Sequence, residues 1–487
     1  MEKLKNTILI ALLLVIGLTL PLRAQKATIN DALTVANNWV SLILDKKGAW
    51  GDANTAYVED IKELKRGGRT LGYFCQVWPK GYIIVSLHKK LAPVKAYSAT
   101  CDLNTESEEG MADLIKDRME RILGRIDEEA RKLKVPPDEV MARILEVNYR
   151  RAWDELQVDE MSFQQKLESD IEPLNYQEGQ ILLTSSWHQH DPYNRQCPAP
   201  PPGDDCTAER CVVGCVATAG AQIMRYWNWP PYGVGPPYDD YYDWPNMPDR
   251  ATGTSPTAEI NAVAELSYEV GKAVNMEYCS GDGCASGAYT SDMVGVFEDH
   301  YRYSTACVKR DRSSYSAVDW FNLIKADINA NQPLQYRIPG HSIVADGWQE
   351  IGAGPTRQYH MNYGWDDGHT TWYTLDSITA DPENDEYLVE NICPAQALNS
   401  VISGTYTRQS FPYRYFNLDT TGTSATFEAG QYLQLLPDIT VTSLGLVQFD
   451  GSATFSTRLF TRGNTSKGAR IYGGAINMYT NGSIRFD

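Results

Sequence analysis

The sequence lacks an excess of positive charge and, after its first 25 residues, lacks long apolar runs. Its 487 residues carry 62 acidic and 44 basic side chains, for a formal net charge of −18, which argues against nucleic acid as a partner. No later apolar run approaches the roughly 20 residues of a membrane span, so we expect no membrane contact in the mature form. With 43% hydrophobic residues, 29 Tyr and 12 Trp, the composition indicates a globular protein of about two to four domains.

The first 24 residues have the layout of a secretory signal peptide. A lysine-bearing start precedes an apolar run from Ile8 to Leu20, and Pro21 and the small Ala24 follow. Because this run is shorter than a membrane span of roughly 20 residues, cleavage after Ala24 is favoured over a membrane anchor. We therefore expect an exported, soluble protein.

Export permits disulfides among the ten cysteines, because secreted proteins meet oxidising conditions. The cysteines are Cys75, Cys101, Cys197, Cys206, Cys211, Cys215, Cys279, Cys284, Cys307 and Cys393. If one is a reactive thiol, an odd number remains and at least one more is unpaired. Parity alone therefore does not identify a nucleophile.

Composition divides the remainder of the chain into three parts. Apolar residues at helical spacing from Ser107 to Lys134 predict an amphipathic helix, and a second polar helix is predicted from Asp138 to Glu168. From Leu182 onward, Trp, Tyr, Pro and Gly replace the charged residues, and the tail holds short alternating runs typical of a small all-β module. The predicted boundaries are 1–24 for the signal peptide, then 25–178, 179–395 and 396–487.

Two cysteines, Cys211 and Cys215, lie four positions apart at the start of a predicted helix. Gly214 precedes Cys215, and good helix formers follow it in "CVATAGAQIMRYW". A thiol at a helix N-terminus is exposed to the positive end of the helix dipole, which stabilises the thiolate and lowers its pKa. This environment suits a nucleophile, although the local sequence is equally consistent with a buried or bridged cysteine.

A thiolate nucleophile needs a base, and the base needs an orienting partner. Residues 339–368 predict a β-hairpin in which His341 opens an apolar strand, "GAGP" supplies the turn and "RQYHMNYGW" forms the second strand. Pairing about this turn places His341 opposite Gly364 and one diagonal step from Asn362. The amide of Asn362 is therefore predicted to hold the imidazole in its productive tautomer.

His360 is the competing base, but it shares a strand and a face with Asn362, so the amide would lie beside it rather than across from it. We therefore favour His341 over His360 as the base, and a structural core histidine is the alternative for either residue. The oxyanion that forms when a thiolate attacks a carbonyl also needs donors. The backbone N–H of Cys215 and the side chain of Gln189, in the loop "SSWHQHDPYN", are the candidates, although a loop Gln is commonly only solvated.

These segments resemble the streptopain family of secreted bacterial cysteine peptidases, which have a papain-like fold. The matching pieces are "WHQHDPYNRQCP", "GCVATAGAQIMRYWNWP", "GHSIVADGW" and "YHMNYGWDDG", in the family's order. The resemblance implies Cys215 as the nucleophile, His341 as the base, Asn362 as the orienting residue and Gln189 as the oxyanion donor.

The resemblance also implies an α+β fold class. A papain-like peptidase domain at 179–395 would follow an α+β inhibitory prodomain at 25–178 and precede the small all-β C-terminal module at 396–487. The prodomain resembles the family's propeptide through "GYFCQVWPKGYIIVSLHKKLAPVKAYS" and is expected to cover the cleft until the chain is cut within "SDIEPLNYQEGQILLTS". The tail resembles β-rich modules of secreted bacterial proteins through "FEAGQYLQLLPD" and is predicted to attach the protein to a surface or polymer.

The chain departs from the family pattern in three places. Tyr363 stands where the family usually has a Trp that shields the Asn–His hydrogen bond, and "WDDG" replaces a Gly-rich turn. Cys279 and Cys284 lie in an expected substrate-side loop, which they would staple if bonded. These departures leave every predicted catalytic group in place.

A zinc site is one alternative, with Cys211 and Cys215 as a ligand pair and the cysteines of "CSGDGC" as another. Their spacing fits structural zinc only loosely, and export favours disulfides. We instead expect Cys211 to be bonded to a loop cysteine, Cys197 or Cys206, and Cys215 to be a free thiol.

The sequence thus predicts a secreted cysteine endopeptidase, made as a zymogen, that hydrolyses protein or peptide substrates through a Cys–His(–Asn) thioester mechanism. This mechanism needs no metal and no organic cofactor. The protein's own propeptide is the expected inhibitor, and the expected location is extracellular, with the cell surface or periplasm as alternatives. A papain-like pseudoenzyme or binding module, or a transpeptidase or amidase with the same thioester chemistry, is the alternative function.

Overall fold

The protein is described by a computed structural model, in which two compact units are resolved. The first comprises residues 1–177, 349–358 and 372–381, and the second comprises 178–348, 359–371 and 382–487. The structure describes residues 26–394, apart from 109, 170–173, 203–205, 231, 241, 282–283, 353, 366–369 and 376–385. It also describes six strands beyond residue 403. The predicted signal peptide lies outside the described residues. Within the described ranges, every helix is too short or too polar to cross a membrane.

The first unit combines an antiparallel sheet with helices. Its elements are α1 (Ile29–Lys47), β1 (Tyr57–Arg66), β2 (Arg69–Trp78), β3 (Tyr82–Ser86), β4 (Val94–Ser98), α2 (Gly110–Leu133), α3 (Pro137–Ile144), α4 (Arg150–Leu156), α5 (Glu160–Leu167) and β5 (Tyr176–Glu178). Strands β1 to β4 pair in sequence order, each antiparallel to the next. Strands β3 and β4 are buried along their whole length, so they form the centre of this unit's core.

Local sequence explains where the helices of this unit begin and end. The first begins with a reciprocal capping box between Thr28 and Asp31 and ends at Gly48, whose φ of 77° suits a residue without Cβ. The predicted amphipathic helix is confirmed as α2. The single helix predicted from 138 to 168 is wrong, because the chain forms three helices there. Asn148 and Asp159 accept backbone N–H groups at the starts of the later two and so favour new helix starts.

Two later segments of the chain complete the first unit. Trp372 and Tyr373 pair with Tyr97 and Ala96 of β4. Lys95, only 1% exposed, donates from Nζ to the carbonyl oxygen of Thr374 at 2.7 Å and lies over the ring of Tyr373. The units therefore do not follow the predicted domain boundaries residue by residue, and those boundaries stay predictions.

The second unit carries the remaining helices and strands. They are α6 (Cys215–Trp227), α7 (Thr257–Ala273), β6 (Glu277–Gly281), β7 (Ala285–Gly287), β8 (Val308–Asp311), α8 (Ala317–Asn329), β9 (Leu334–Ile338), β10 (His341–Ile351), β11 (Thr356–Asn362), β12 (Thr370–Tyr373) and β13 (Tyr387–Glu390). Residues at the ends of β10, β11 and β12 belong to the first unit. Strand β9 pairs antiparallel with β10 and β13, and β13 with β8. Strand β11 lies next to β10, as the predicted hairpin requires.

Beyond residue 403 the described elements are all strands. They are β14 (Gly404–Tyr406), β15 (Ser424–Phe427), β16 (Gly445–Phe449), β17 (Ala453–Thr457), β18 (Gly474–Met478) and β19 (Ser483–Phe486). Four of them form a sheet in the order β14, β15, β16, β19, and β17 pairs with β18. The all-β prediction agrees with these elements.

Candidate active site

Helix α6 begins at Cys215, as the sequence predicts. Gly214 immediately before it has a φ of 88°, and a Cβ there would approach the Met276 side chain to 2.6 Å and the Ser286 carbonyl oxygen to 3.2 Å. The positive φ therefore favours glycine here, and a side chain would also have to displace the end of Met276. The carbonyl oxygen of Gly214 accepts the N–H of Thr218 and starts the helix, so the thiol of Cys215 lies at its positive end.

The thiol of Cys215 interacts directly with the imidazole of His341, the first residue of β10. Burial by itself would raise the pKa of Cys215. The charge of His341, a hydrogen bond to it, and the backbone N–H groups of Ser342 and Val216 outweigh burial and lower that pKa. The pKa of His341 is correspondingly raised, since the nearby thiolate outweighs the effect of burial. The pair thus favours thiolate and imidazolium, the charged forms of a nucleophile and its acid.

The imidazole of His341 is oriented by a backbone carbonyl. Its Nε2 lies 2.8 Å from the carbonyl oxygen of Tyr363, and since a carbonyl only accepts, Nε2 carries the hydrogen. The other ring nitrogen, Nδ1, is thereby left for the thiol. The indole of Trp365 stacks on the imidazole with ring centroids 4.5 Å apart. Trp365 therefore covers one face of the His341 imidazole, a contact that was not predicted from the sequence although Trp365 lies in the quoted "YHMNYGWDDG".

The direct hydrogen bond predicted between Asn362 and His341 is wrong. The Asn362 amide nitrogen donates to the carbonyl oxygen of Ser185 at 2.8 Å, and its side-chain oxygen accepts the N–H of Gly364 at 3.1 Å. The Asn362 amide is thus occupied by other partners, and the imidazole is met by the carbonyl oxygen of the next residue, Tyr363. Asn362 instead supports the turn that carries that carbonyl.

A glutamine missed by the sequence analysis joins these parts. Gln222 of α6 is fully buried and lies 3.2 Å from the amide of Asn362. Its side-chain oxygen also accepts from the N–H of Trp187 at 3.0 Å and the hydroxyl of Ser185 at 3.1 Å. The nucleophile helix is therefore tied to β11 and to the loop before Gln189. The sequence did carry a signal for this role, because Gln222 is a polar residue inside the apolar run "AGAQIM" and a buried polar group needs hydrogen-bond partners.

Gln189, the predicted oxyanion donor, lies beside the segment that leads to the nucleophile. Its backbone carbonyl accepts the N–H of Val213 at 3.0 Å, two residues before Cys215. Gln189 itself is partly exposed. The structure thus brings Gln189, Cys215 and His341 into one region of the second unit.

Two disulfides hold the loop before the nucleophile. Cys211 is bonded to Cys279, with Cα atoms 5.4 Å apart, and Cys206 to Cys284, with Cα atoms 5.1 Å apart. The partners predicted for Cys211 were therefore wrong, because cysteine parity does not fix connectivity. Cys215 is a free thiol, as predicted. The disulfides join this loop to strand β6 and to the residue before β7, and they use three of the four cysteines of the alternative zinc site, Cys211, Cys279 and Cys284.

Cys197, one of the partners predicted for Cys211, has a different environment. It is fully buried, and burial raises its pKa to about 12 despite a hydrogen bond with Tyr278. Such a thiol stays protonated and inert.

His360, the competing base, contacts a carboxylate. Its Nδ1 lies 2.6 Å from a carboxylate oxygen of Asp346, and the other oxygen of Asp346 accepts the N–H of Leu183 at 3.1 Å. Both side chains are buried. His360 on β11 is therefore paired with Asp346 on β10.

Comparison with known proteins gives two family matches. Residues 187–373 match the Peptidase C10 family, and residues 24–122 match the Spi protease inhibitor family. The first match contains Cys215 and His341, and the second covers the first part of the predicted prodomain, beginning one residue before it. Because the matched residues stop at 373, they give no support for attachment through the C-terminal module.

Individual relatives agree with these matches. Over 367 residues the chain is 25% identical to streptopain from Streptococcus pyogenes, which covers 68% of this chain and 82% of the relative. It is 28% identical over 201 residues to the thiol protease/hemagglutinin PrtT from Porphyromonas gingivalis, covering 37% of this chain and 21% of that one. A prointerpain A fragment from Prevotella intermedia is 23% identical with a TM-score of 0.50, covering 69% of this chain and 98% of the fragment, a similarity of fold alone.

Proposed function

We propose that this chain is a secreted zymogen of a cysteine endopeptidase. The premise is that it belongs to the streptopain-like Peptidase C10 family of cysteine peptidases and carries a Spi-type inhibitor domain. The single observation that carries the proposal is the contact between the partly exposed thiol of Cys215, at the start of α6, and the buried imidazole of His341. Protein and peptide chains are the proposed substrates, and the Spi-type region is the proposed inhibitor. Secretion is proposed from the leader sequence.

Catalysis would begin with the charged pair already formed. The thiolate of Cys215 attacks the scissile carbonyl, forms a C–S bond and places negative charge on the carbonyl oxygen. The backbone N–H of Cys215 and the side-chain amide of Gln189 are the proposed donors to that oxyanion. His341 passes its proton to the leaving amine as the C–N bond breaks, which yields a thioester and a neutral imidazole.

Hydrolysis of the thioester restores the enzyme. Neutral His341 accepts a proton from water as the water oxygen attacks the thioester carbonyl. Collapse of the second tetrahedral intermediate expels the thiolate of Cys215 and leaves the imidazolium beside it. The Tyr363 carbonyl accepts from Nε2–H throughout the cycle, so Nδ1 remains the nitrogen that exchanges protons.

The test combines labelling with product analysis. Purified full-length protein is incubated with a thiol-reactive epoxide, and the adduct is located by mass spectrometry, with an unfolded protein as substrate in parallel. We expect the adduct on Cys215 and hydrolysis products that contain one added water. Cys215→Ala should abolish both hydrolysis and self-cleavage. An adduct on another cysteine, or an active Cys215→Ala variant, would refute the nucleophile, whereas products joined to an added amine would indicate a transpeptidase.

Backbone hydrogen bonds support a proposal for the region in which the zymogen would be cut. In the second unit, Gly179 donates its N–H to the carbonyl oxygen of Trp348 at 2.8 Å, and Leu182 donates to that of Asp346 at 2.9 Å. A segment paired in this way is a poor protease substrate, because cleavage favours exposed, unpaired backbone. We therefore propose that maturation occurs upstream of Gly179. N-terminal sequencing of the matured protein tests this, and a new terminus between 180 and 186 would contradict it.

A further inference from the structure

Four cysteine sulfurs form a cluster beside the segment that precedes the proposed nucleophile. They belong to two disulfides, an outer one between Cys206 and Cys284 and an inner one between Cys211 and Cys279. The sulfur of Cys206 lies 3.9 Å from the sulfur of Cys279, so a sulfur of the outer bond nearly touches a sulfur of the inner bond. The two disulfides are therefore neighbours that can react with each other.

The outer and inner disulfides differ in their exposure to solvent. Cys211 is completely buried and Cys279 is 4% exposed, whereas Cys206 and Cys284 are both partly exposed. A thiolate in solution attacks a disulfide only where it can reach one of the two sulfurs. A dissolved reductant therefore meets the outer bond first, and burial shields the inner bond from direct attack.

The inner disulfide anchors the segment that leads into helix α6. Cys211 lies four residues before the proposed nucleophile, and its bond to Cys279 joins this segment to strand β6. Hydrogen bonds accompany the covalent link, because Cys279 donates its N–H to the hydroxyl of Ser286 at 3.2 Å and that hydroxyl donates to the carbonyl oxygen of Val212 at 2.7 Å. Opening the inner bond removes the covalent anchor and leaves the hydrogen bonds.

We propose that this cluster is a thiol–disulfide exchange site for small thiol reductants, in which Cys206 relays reduction from the outer bond to the inner one. The thiolate of the reductant attacks the sulfur of Cys284, which breaks the outer S–S bond and leaves a mixed disulfide on Cys284 and a thiolate on Cys206. The Cys206 thiolate then attacks the adjacent sulfur of Cys279. A Cys206–Cys279 bond forms, the inner bond breaks, and Cys211 leaves as a thiolate that takes a proton from water.

A second molecule of reductant completes the reaction by releasing Cys284 as a thiol. Two molecules of the reductant are thereby oxidised to one disulfide, and the protein passes from two disulfides to one, with thiols on Cys211 and Cys284. The relay is faster than direct reduction of the inner bond, because Cys206 is held beside Cys279 whereas the external thiol is dilute and excluded by burial. This proposal does not depend on the catalytic roles proposed above.

The test maps disulfides in the full chain with Cys215→Ala, which removes the proposed nucleophile from the exchange. The protein is incubated with reduced glutathione, quenched in acid at increasing times, unfolded and alkylated with N-ethylmaleimide, and its linked and alkylated peptides are identified by mass spectrometry. Partly reduced protein should contain a linked Cys206–Cys279 peptide together with alkylated Cys211 and Cys284. Alkylation of Cys206 and Cys284 with no Cys206–Cys279 peptide at any time would overturn the proposal, as would a Cys206–Cys279 bond before glutathione is added.

Two variants separate the relay from direct reduction. Cys284→Ser leaves Cys206 as a thiol beside Cys279, so a Cys206–Cys279 peptide should form without any reductant. Cys206→Ser combined with Cys284→Ser lacks the relaying sulfur, and glutathione should release the Cys211 thiol at least about 10-fold more slowly than in the parent. Ser280→Ala, an exposed position next to Cys279, is the matched control and should exchange as the parent does.

Equal rates of Cys211 release in the parent and the double variant would overturn the relay. If the double variant fails to fold, Cys284→Ser decides, because it retains the inner pair of cysteines. A Cys284→Ser protein in which Cys206 is fully alkylated and bonded to no other cysteine would then refute the exchange.

Discussion

His341 and His360 are both buried on neighbouring strands, but they contact different partners. The imidazole of His341 lies between the thiol of Cys215 and the carbonyl oxygen of Tyr363. That of His360 lies against the carboxylate of Asp346, which also accepts the N–H of Leu183. A carbonyl fixes a ring without taking its proton, so the other nitrogen can exchange protons with the thiol. The partner, rather than burial, separates a reactive imidazole from a structural one.

The largest effect is expected when the base itself is removed. His341→Gln should lower kcat/KM by about 10³-fold, within the range for a lost general acid–base group. It should also raise the pKa of Cys215, because the imidazolium that lowers it is gone. Activity against an unfolded protein and the pH dependence of thiol alkylation measure the two effects. His360→Gln is the control, and equal losses in both variants would remove the distinction between the two histidines.

The pH dependence of the parent enzyme follows from the same pair. The folded pKa of Cys215 is lowered and that of His341 is raised, so activity should rise as pH passes the former and fall as it passes the latter. The ion pair also contributes stability in the window between these two values and loses it on either side. A bell-shaped profile of kcat/KM checks this sign, and a profile with a single rising limb near the usual thiol pKa would contradict it.

Removing Asp346 tests the structural pair. Asp346→Ala should lower the free energy of unfolding by about 3 kcal/mol, because His360 and the N–H of Leu183 lose a charged acceptor. Activity per folded molecule should change little, since the Cys215–His341 contact is untouched. Urea unfolding and active-site titration measure these quantities. A large loss of turnover with unchanged stability would show that His360 takes part in catalysis.

Asn362 provides a sharper test, since sequence and structure disagree about it. A direct hydrogen bond to His341 would make Asn362→Ala shift the pH profile. The structure instead predicts an unchanged profile and a loss of about 2 kcal/mol in the free energy of unfolding, because Gln222 and Gly364 lose buried partners. A shift of the alkaline limb of the kcat/KM pH profile in Asn362→Ala would instead support a direct hydrogen bond between Asn362 and His341.

The sequence was informative where local rules dominate. A glycine followed by helix formers located Cys215, and an apolar run after a turn located His341. The partner of His341, the carbonyl oxygen of Tyr363, was missed because it lies one residue beyond the predicted Asn362, after β11 ends. Strand pairing does not fix the position of a residue beyond the strand. The disulfides join residues 68 and 78 positions apart, which no local pattern encodes. Trp365 was missed because an aromatic in a turn has no fixed partner until the hairpin forms.

The smallest effect is expected at Trp365, whose indole stacks on the imidazole of His341. Aromatic stacking of this kind is worth about 0.5 to 1.5 kcal/mol, so Trp365→Ala should lower kcat/KM by roughly 3- to 10-fold. Trp365→Phe should recover most of that loss, since a ring is retained over the imidazole. If Trp365→Ala instead lowered kcat/KM as much as His341→Gln does, the indole would be essential to the charged pair. The carbonyl of Tyr363 alone would then not suffice to orient the base.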